Sequence, residues 1–214
     1  MAPSAELALK IECELKLELT SAEYERLRQA WGEAVERREQ RNLYYEDVHD
    51  HSLWARNGFS LRLREDAGSW VLGIKGSGPE AEGWTQRPEW ETAVEGASFA
   101  ELLLGGTPMR RLAEELVGRL PEILADSDLT LRGELRNSRS LHGLPRSRAV
   151  VELDHFRLPD GNEGFELEFE CGEANLRERG ESELREIFAD LDIAWRPSAT
   201  SKRQRFEAAL RSLE

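Results

Sequence analysis

The stretch Ile11-Glu12-Cys13-Glu14-Leu15-Lys16-Leu17-Glu18-Leu19 alternates without a break. A strand sends successive side chains to opposite faces, so Glu12, Glu14, Lys16 and Glu18 share one side and Ile11, Cys13, Leu15, Leu17 and Leu19 the other. Taken alone, this is a half-buried antiparallel strand with a solvated charged face. Near the other end of the chain, Glu163 to Cys171 repeats the pattern. Glu166, Glu168 and Glu170 point one way, Phe165, Leu167 and Phe169 the other. Any fold of this chain must place two strands that are apolar on one face and acidic on the other.

The middle of the chain supplies the opposite charge. Phe59 to Arg64 and Trp70 to Lys75 flank Asp66-Ala67-Gly68-Ser69, which has the turn chemistry of a β-hairpin, and Arg62, Arg64 and Lys75 then share one face. Trp84 to Val94 reads as a strand with Arg87, Glu89 and Glu91 in one phase, where Pro88 asks for an edge position or a bulge. Leu129 to about Leu141 places Arg132, Glu134 and Arg136 in one phase, and Arg148 to Phe156 places Glu152 and Asp154 together. A solvent-coating sheet explains alternation. It does not explain acids on the first and last strands with arginines and lysine between them, which is the charge segregation of a site.

The remaining segments connect these strands. Thr20-Ser21-Ala22-Glu23 offers a capping box for a helix from Ala22 to about Glu36. Asn42 to His49 reads as a strand, Leu53-Trp54-Ala55 as a short helical piece closed by Gly58, and Gly76 to Gly83 as a loop. Helices are expected over Ser98 to Leu104, Thr107 to Leu120, Glu181 to Leu191 and Ser201 to Leu213. About eight strands, mostly antiparallel neighbours, with helices before, within and after them, point to an α+β fold whose sheet can close into a barrel. Helices packed outside would cover the apolar face and leave the charged face inward.

At 214 residues the chain can form one large domain or two small ones, and no internal linker forces a split. A formal net charge of −13 argues against a nucleic-acid or anionic-membrane partner, both of which need a basic footprint. Cys13 and Cys171 both fall in apolar phase, which disfavours a disulfide framework and favours a reducing cytosol. There is no leader pattern and no apolar run of membrane-spanning length, so a cytoplasmic protein is expected.

Several carboxylates facing one another need a counter-ion, and oxygen-only ligation favours magnesium or manganese. Guanidinium forks match phosphate oxygens. A site with both suits a metal-bound polyphosphate, with the arginines holding a terminal phosphoryl group during in-line displacement. No serine or cysteine is placed as a covalent nucleophile, and His49, His51, His142 and His155 lack ligand spacing. Direct attack by water is the expected chemistry.

In order along the chain, these segments resemble the CYTH superfamily, the triphosphate tunnel metalloenzymes. Glu12-x-Glu14-x-Lys16 looks like the family's opening signature, Tyr45 to Asp47 its second-strand segment, and Gly58 to Arg64 its Gly-x-x-Leu-Arg-x-Arg hairpin. Lys75, Arg87-Pro88-Glu89, Val151 to Asp154, Phe165 to Glu170 and Ser201-Lys202 resemble the segments that follow. The resemblance implies a closed eight-stranded antiparallel barrel spanning 1–214 as a single domain that hydrolyses a triphosphate with Mg2+ or Mn2+. It makes Glu12, Glu14, Asp154, Glu166 and Glu168 metal-ligand candidates, with Glu89, Glu152 and Glu170 as further acidic candidates. Arg62, Arg64, Lys75, Arg87, Arg136 and Lys202 become phosphate-binding candidates, with Arg139 an alternative to Arg136. Lys16 becomes the candidate for positioning or activating water.

The family includes inorganic triphosphatases, thiamine triphosphatases, class IV adenylate cyclases and RNA triphosphatases. Thiamine-specific members are expected to carry a tryptophan two residues before the first hairpin arginine, where this chain has Ser60, and Trp54 reads as core. The aromatic start expected of a cyclase is missing from Met1 to Lys10. Inorganic triphosphate, split into pyrophosphate and phosphate, is the expected substrate, with an organic triphosphate as runner-up and a non-catalytic polyphosphate-binding module as the alternative of a different class. Family domains also precede a helical CHAD domain, so the chain reads as a complete protein or an excised domain, monomeric or a homodimer.

Overall fold

The structure, a computed structural model, describes residues 8–81, 83–94 and 127–213. The strands are β1 (Ala8–Leu19), β2 (Glu36–Asp47), β3 (Phe59–Asp66), β4 (Ser69–Gly76), β5 (Glu80–Ala81), β6 (Trp84–Ala93), β7 (Leu129–Gly143), β8 (Val150–Arg157) and β9 (Glu163–Glu170). The helices are α1 (Ser21–Trp31), α2 (Leu53–Arg56), α3 (Ala174–Asp190) and α4 (Lys202–Arg211). The strands hydrogen-bond in the order β1-β9-β8-β7-β2-β3-β4-β6-β5, and β1 also pairs with β6. The sheet therefore closes on itself as the expected eight-stranded antiparallel barrel. The two-residue β5, inside the segment expected to be a loop, is an added ninth strand. The helices expected over Ser98 to Leu104 and Thr107 to Leu120 lie outside the described residues. Among the described residues no helix is long and apolar enough to cross a membrane.

Local chemistry sets the element ends. Thr20 caps α1, its hydroxyl accepting from the Glu23 N–H at 3.2 Å while the Glu23 carboxylate accepts from the Thr20 N–H at 2.8 Å. The helix stops at Trp31, short of the expected Glu36, because Gly32 turns the backbone at φ 67 and Glu36 already belongs to β2. Ala67 and Gly68, at φ 50 and 82, form a turn whose two central residues are both left-handed, the conformation that matches strand twist in a two-residue hairpin. Pro88 falls between the β6 residues that pair with β5 and those that pair with β4.

Two compact units divide the chain. One comprises Arg41–Ser77 with the described parts of Met1–Lys10 and Pro88–Glu134. Its core is built from Leu43 and Tyr45 of β2, Leu61 and Leu63 of β3, Leu72 and Ile74 of β4, Trp90, Leu129 and the α2 residues Leu53 and Trp54. Trp54 is fully buried, its indole N–H donating to Ser127 Oγ at 3.2 Å, as expected of a core residue. In this unit Glu134 of β7 bonds Arg41 at 2.8 Å, and Arg41 also reaches Glu65 at 3.0 Å. Arg41 and Glu65 share the strand phase of the core residues Leu43 and Leu63, so Glu134 lies on the same face as Leu129, five positions away. Strict alternation would put them on opposite faces. Gly133, at φ 155, supplies the extra step of a bulge in a conformation that favours glycine.

The other unit comprises Ile11–Gln40, Gly78–Arg87 and Leu135–Glu214. Cys13, Leu15, Leu17 and Leu19 of β1 pack with Leu153, Leu167 and Phe169 of β8 and β9 beneath Leu27 of α1 and Leu184 and Phe188 of α3. Ile11, in the same phase, lies at the end of this face and is exposed. Cys13 of β1 and Cys171, just past the end of β9, are buried free thiols, the Cys171 N–H donating to the Cys13 carbonyl at 2.9 Å. α3 begins at Ala174 rather than Glu181 because Gly180 lies within the helix. A Cβ there would sit 2.5 Å from the Phe169 ring, so the glycine permits close helix-on-strand packing instead of marking a boundary.

Candidate functional site

In the second unit the strand register sets acid against acid. Glu152 lies opposite Glu168, Asp154 opposite Glu166, and Glu14 opposite Glu170. Like charges directly opposite one another destabilise a sheet unless cations intervene. Lys16 does so from β1, 3.0 Å from Glu14 and 3.4 Å from Glu168, its strand-opposite residue. Arg139 does so from β7. Lying opposite Asp154, it donates Nε to Oδ1 at 2.7 Å and Nη2 to Oδ2 at 2.6 Å, and reaches Glu168 at 2.7 Å and Glu152. Arg87 of β6 closes the other side, donating to Glu12 at 2.9 Å and to Glu14.

The remaining cations come from the C-terminal helix. The Glu18 N–H donates to the Arg196 carbonyl at 2.8 Å and the Ser198 N–H to the Lys16 carbonyl at 2.9 Å, so this segment runs along β1. Ser201 then caps α4 through a second capping box. Lys202, the first residue of α4, forms ion pairs with Asp154, Glu166 and Glu168 at 2.8, 2.6 and 2.7 Å, and Arg205, three residues on, reaches Glu166 at 2.9 Å. Residues at i and i+3 on a helix share a face. The Phe156 ring lies beneath both, 5.3 Å from Lys202 Nζ and 5.7 Å from the Arg205 guanidinium carbon. It fits only because residue 164 is glycine, where a Cβ would come within 2.2 Å of the ring.

Six carboxylates, Glu12, Glu14, Glu152, Asp154, Glu166 and Glu168, thus meet five cations, Lys16, Arg87, Arg139, Lys202 and Arg205, in one connected network. Burial penalises a charge, and pairing with an opposite charge offsets that cost. Burial lowers the Lys16 ammonium's pKa, but Glu168 and Glu14 outweigh it and the net shift is upward. Burial raises Asp154 and Glu168, yet Arg139 and Lys202, with Lys16 beside Glu168, hold both below the ordinary carboxylate range. Glu152 is the exception: burial, with Glu168 and Asp154 nearby, outweighs Arg139 and pushes it up to about 7. Asp154 and Glu166 have no solvent exposure, and neither Glu166 oxygen makes a well-directed hydrogen bond although Lys202 and Arg205 lie close.

The first unit has its own charged face. Arg62 bonds Glu89 at 3.3 Å and Lys75 bonds the same carboxylate at 3.1 Å, so a buried glutamate bridges two cations from β3 and β4. Arg64 shares the Arg62 phase. Its Nε is buried with no hydrogen-bond partner among the described residues.

Of the residues singled out by sequence, Glu12, Glu14, Lys16, Arg87, Glu152, Asp154, Glu166, Glu168 and Lys202 join the network of the second unit, and Arg62, Arg64, Lys75 and Glu89 belong to the first. Arg136 is exposed and lies opposite Arg157, while Arg139 lies opposite Asp154. Glu170 is exposed at the end of β9. Arg205 escaped the sequence reading, although its spacing three residues after Lys202 on a capped helix was a usable signal. The histidines stay apart from the network: His155 stacks on Phe165 at 4.7 Å, His142 packs on Trp31 at 5.1 Å, and His49 and His51 are at the surface.

Chemically the acid set suits a hard divalent cation, since every donor is an oxygen. Among the described residues, however, no three such side chains form a ready metal-ligating group. Each carboxylate is engaged by an arginine or lysine of the chain itself.

The profile of the CYTH domain matches residues 10–206. Among solved structures, the chain is similar to HpAC1 from Hippeastrum, a candidate adenylyl cyclase described as having a dominant triphosphatase activity. That match has a TM-score of 0.74 at 23% identity over 92% of this chain and 95% of that one. It is also similar to a candidate adenylate cyclase from Bacillus halodurans, with a TM-score of 0.67 at 25% identity over 92% and 98% of the two chains. The PH1819 protein from Pyrococcus horikoshii OT3 follows at a TM-score of 0.60 and 15% identity, over 92% and 98%. No curated protein sequence matches the chain.

Proposed function

Because the chain belongs to the CYTH domain family, we propose that it is a metal-dependent triphosphatase that splits inorganic tripolyphosphate into pyrophosphate and phosphate. The observation that carries this reading is the network of six carboxylates, five buried and Glu152 half-buried, among five cations. Such a network costs desolvation of every member, and burying apolar side chains in its place would serve stability as well or better. A site that receives both a hard cation and a polyanion accounts for it. The orphaned Arg64 Nε supports the anionic half of the ligand.

In this reading Glu12, Glu14, Asp154, Glu166 and Glu168 hold Mg2+ or Mn2+, which when bound supplies neutralisation of phosphate charge and a more acidic water. Arg62, Arg64, Lys75, Arg87 and Lys202 bind phosphate oxygens, with Arg139 filling the role that exposed Arg136 is poorly placed to fill. Lys16, an ammonium between Glu14 and Glu168, positions the attacking water. The water oxygen bonds to the terminal phosphorus as the bond to the bridging oxygen breaks, pyrophosphate leaves with that electron pair, and the water's protons pass to solvent and product. Charge moves from the terminal group to the leaving group, where fixed guanidinium groups stabilise it without reorganising.

The experiment is phosphate release from tripolyphosphate, thiamine triphosphate and ATP, each with Mg2+ or Mn2+, together with an assay for cyclic AMP. Tripolyphosphate is expected to be cleaved fastest and no cyclic AMP to form. Faster cleavage of thiamine triphosphate would reassign the substrate, and tight binding without turnover would make the chain a polyphosphate-binding module.

A further inference from the structure

The cations that neutralise the acid network are held in two different ways. Lys16 sits between acids on the strands, and Lys202 and Arg205 are anchored on a capped helix over the Phe156 ring. Arg87 and Arg139 are long side chains reaching over from β6 and β7, and each fork spans more than one carboxylate. An arginine fork spanning two carboxylates fills the place that a divalent ion bound to the same oxygens would need, and it carries half the charge. Guanidinium groups also bind phosphate oxygens as readily as carboxylates.

We propose that Arg87 and Arg139 act as internal stand-ins for the metal, so that the divalent cation and the phosphate chain are admitted together and each opens the site for the other. The proposal rests on the triphosphatase reading for the identity of the anion. A phosphate chain draws the guanidinium groups off the carboxylates; the freed carboxylates then accept the cation, which in turn offsets the added negative charge. Without the anion, a divalent ion must displace an arginine that has nowhere else to put its charge. Linkage requires the coupling to be reciprocal: metal raises affinity for the anion by the same factor as the anion raises affinity for metal.

The test follows Mn2+ by the electron paramagnetic resonance signal of the free aquo ion, with the full chain and no phosphate present. Wild-type protein is expected to bind Mn2+ weakly. Arg139→Gln and Arg87→Gln are each expected to tighten Mn2+ binding at least tenfold, because carboxylates that lose their internal counter-ion recruit another. Arg41→Gln removes an arginine that bridges Glu65 and Glu134 on the other face and is expected to leave Mn2+ affinity unchanged. Circular dichroism establishes that each variant is folded; the two network variants are independent, so one suffices. Equal Mn2+ affinity in wild type and a folded network variant overturns the proposal, as does tight Mn2+ binding to the wild type alone. The triphosphatase reading fails separately: a variant that gains Mn2+ in a chain whose wild type cleaves no triphosphate leaves the exchange standing and that reading overturned.

Discussion

Arg139 grips Asp154 with both nitrogens of one guanidinium edge, Nε 2.7 Å from Oδ1 and Nη2 2.6 Å from Oδ2, because the two residues face each other across the β7–β8 ladder. Arg136, one side-chain phase away, is exposed and lies opposite Arg157. Arg139→Ala is therefore expected to reduce tripolyphosphate turnover at least a hundredfold. Arg136→Ala is expected to leave turnover within twofold and stability within about 0.5 kcal/mol, as for surface positions generally. Steady-state kinetics of the two variants side by side checks this, and the reverse ranking would return the role to Arg136.

Among the described residues the buried Arg64 Nε has no hydrogen-bond partner, and an unsatisfied buried donor costs stability. Arg64→Gln is expected to leave the ligand-free protein as stable or more stable while cutting tripolyphosphate turnover sharply, the usual trade between a strained site and stability. Thermal melting without ligand, with turnover measured on the same preparation, checks both halves. Unchanged turnover would remove Arg64 from the site.

Much of the site was legible because its strands are simple. In β1 and β9 an unbroken alternation put Glu12, Glu14 and Glu18, and Glu166, Glu168 and Glu170, each on one face of their strand, and the partner strands needed no irregularity to present Lys16 to Glu168. The arginine of β7 was harder to read. Gly133 inserts a bulge, so counting in twos from Leu129 assigns the wrong face beyond it, and no local signal separates a bulge glycine from any other. Gly180 misled in the opposite direction, as its reason for being glycine is the Phe169 ring on the preceding strand, onto which the helix folds back. Close packing of that kind is a tertiary fact, invisible to propensity.

That reading of Gly180 reverses a general expectation. In a helix interior, glycine to alanine ordinarily stabilises by about 0.5–1 kcal/mol. Here the added methyl meets Phe169 in the core, and Gly180→Ala is expected to destabilise by roughly 1–3 kcal/mol, the cost of overpacking. Urea denaturation of the variant gives the sign directly.

Glu23 gives a pH-dependent contribution separate from the site. Burial would raise its pKa, but the Arg196 guanidinium and the N–H and hydroxyl of Thr20 overcome this and lower it to about 2. A carboxylate whose folded pKa lies below its unfolded value contributes its stability above the unfolded value and loses it as pH falls through the folded one. Glu23→Gln is expected to cost about 1.5–3 kcal/mol at pH 7, the range for hydrogen bonds to a charged group. The difference between wild type and variant should shrink as pH falls from about 4.5 toward 2. A difference that stays constant across that range would show that the charge contributes nothing.

The triphosphatase reading is tested most directly by phosphorus NMR of tripolyphosphate incubated with the protein and Mg2+ or Mn2+, with and without an excess of chelator. The expected result is one pyrophosphate and one phosphate for each tripolyphosphate consumed, no further cleavage of the pyrophosphate, and no reaction once the metal is removed. Tripolyphosphate left intact with metal present, or cleaved equally well with the chelator, would contradict it.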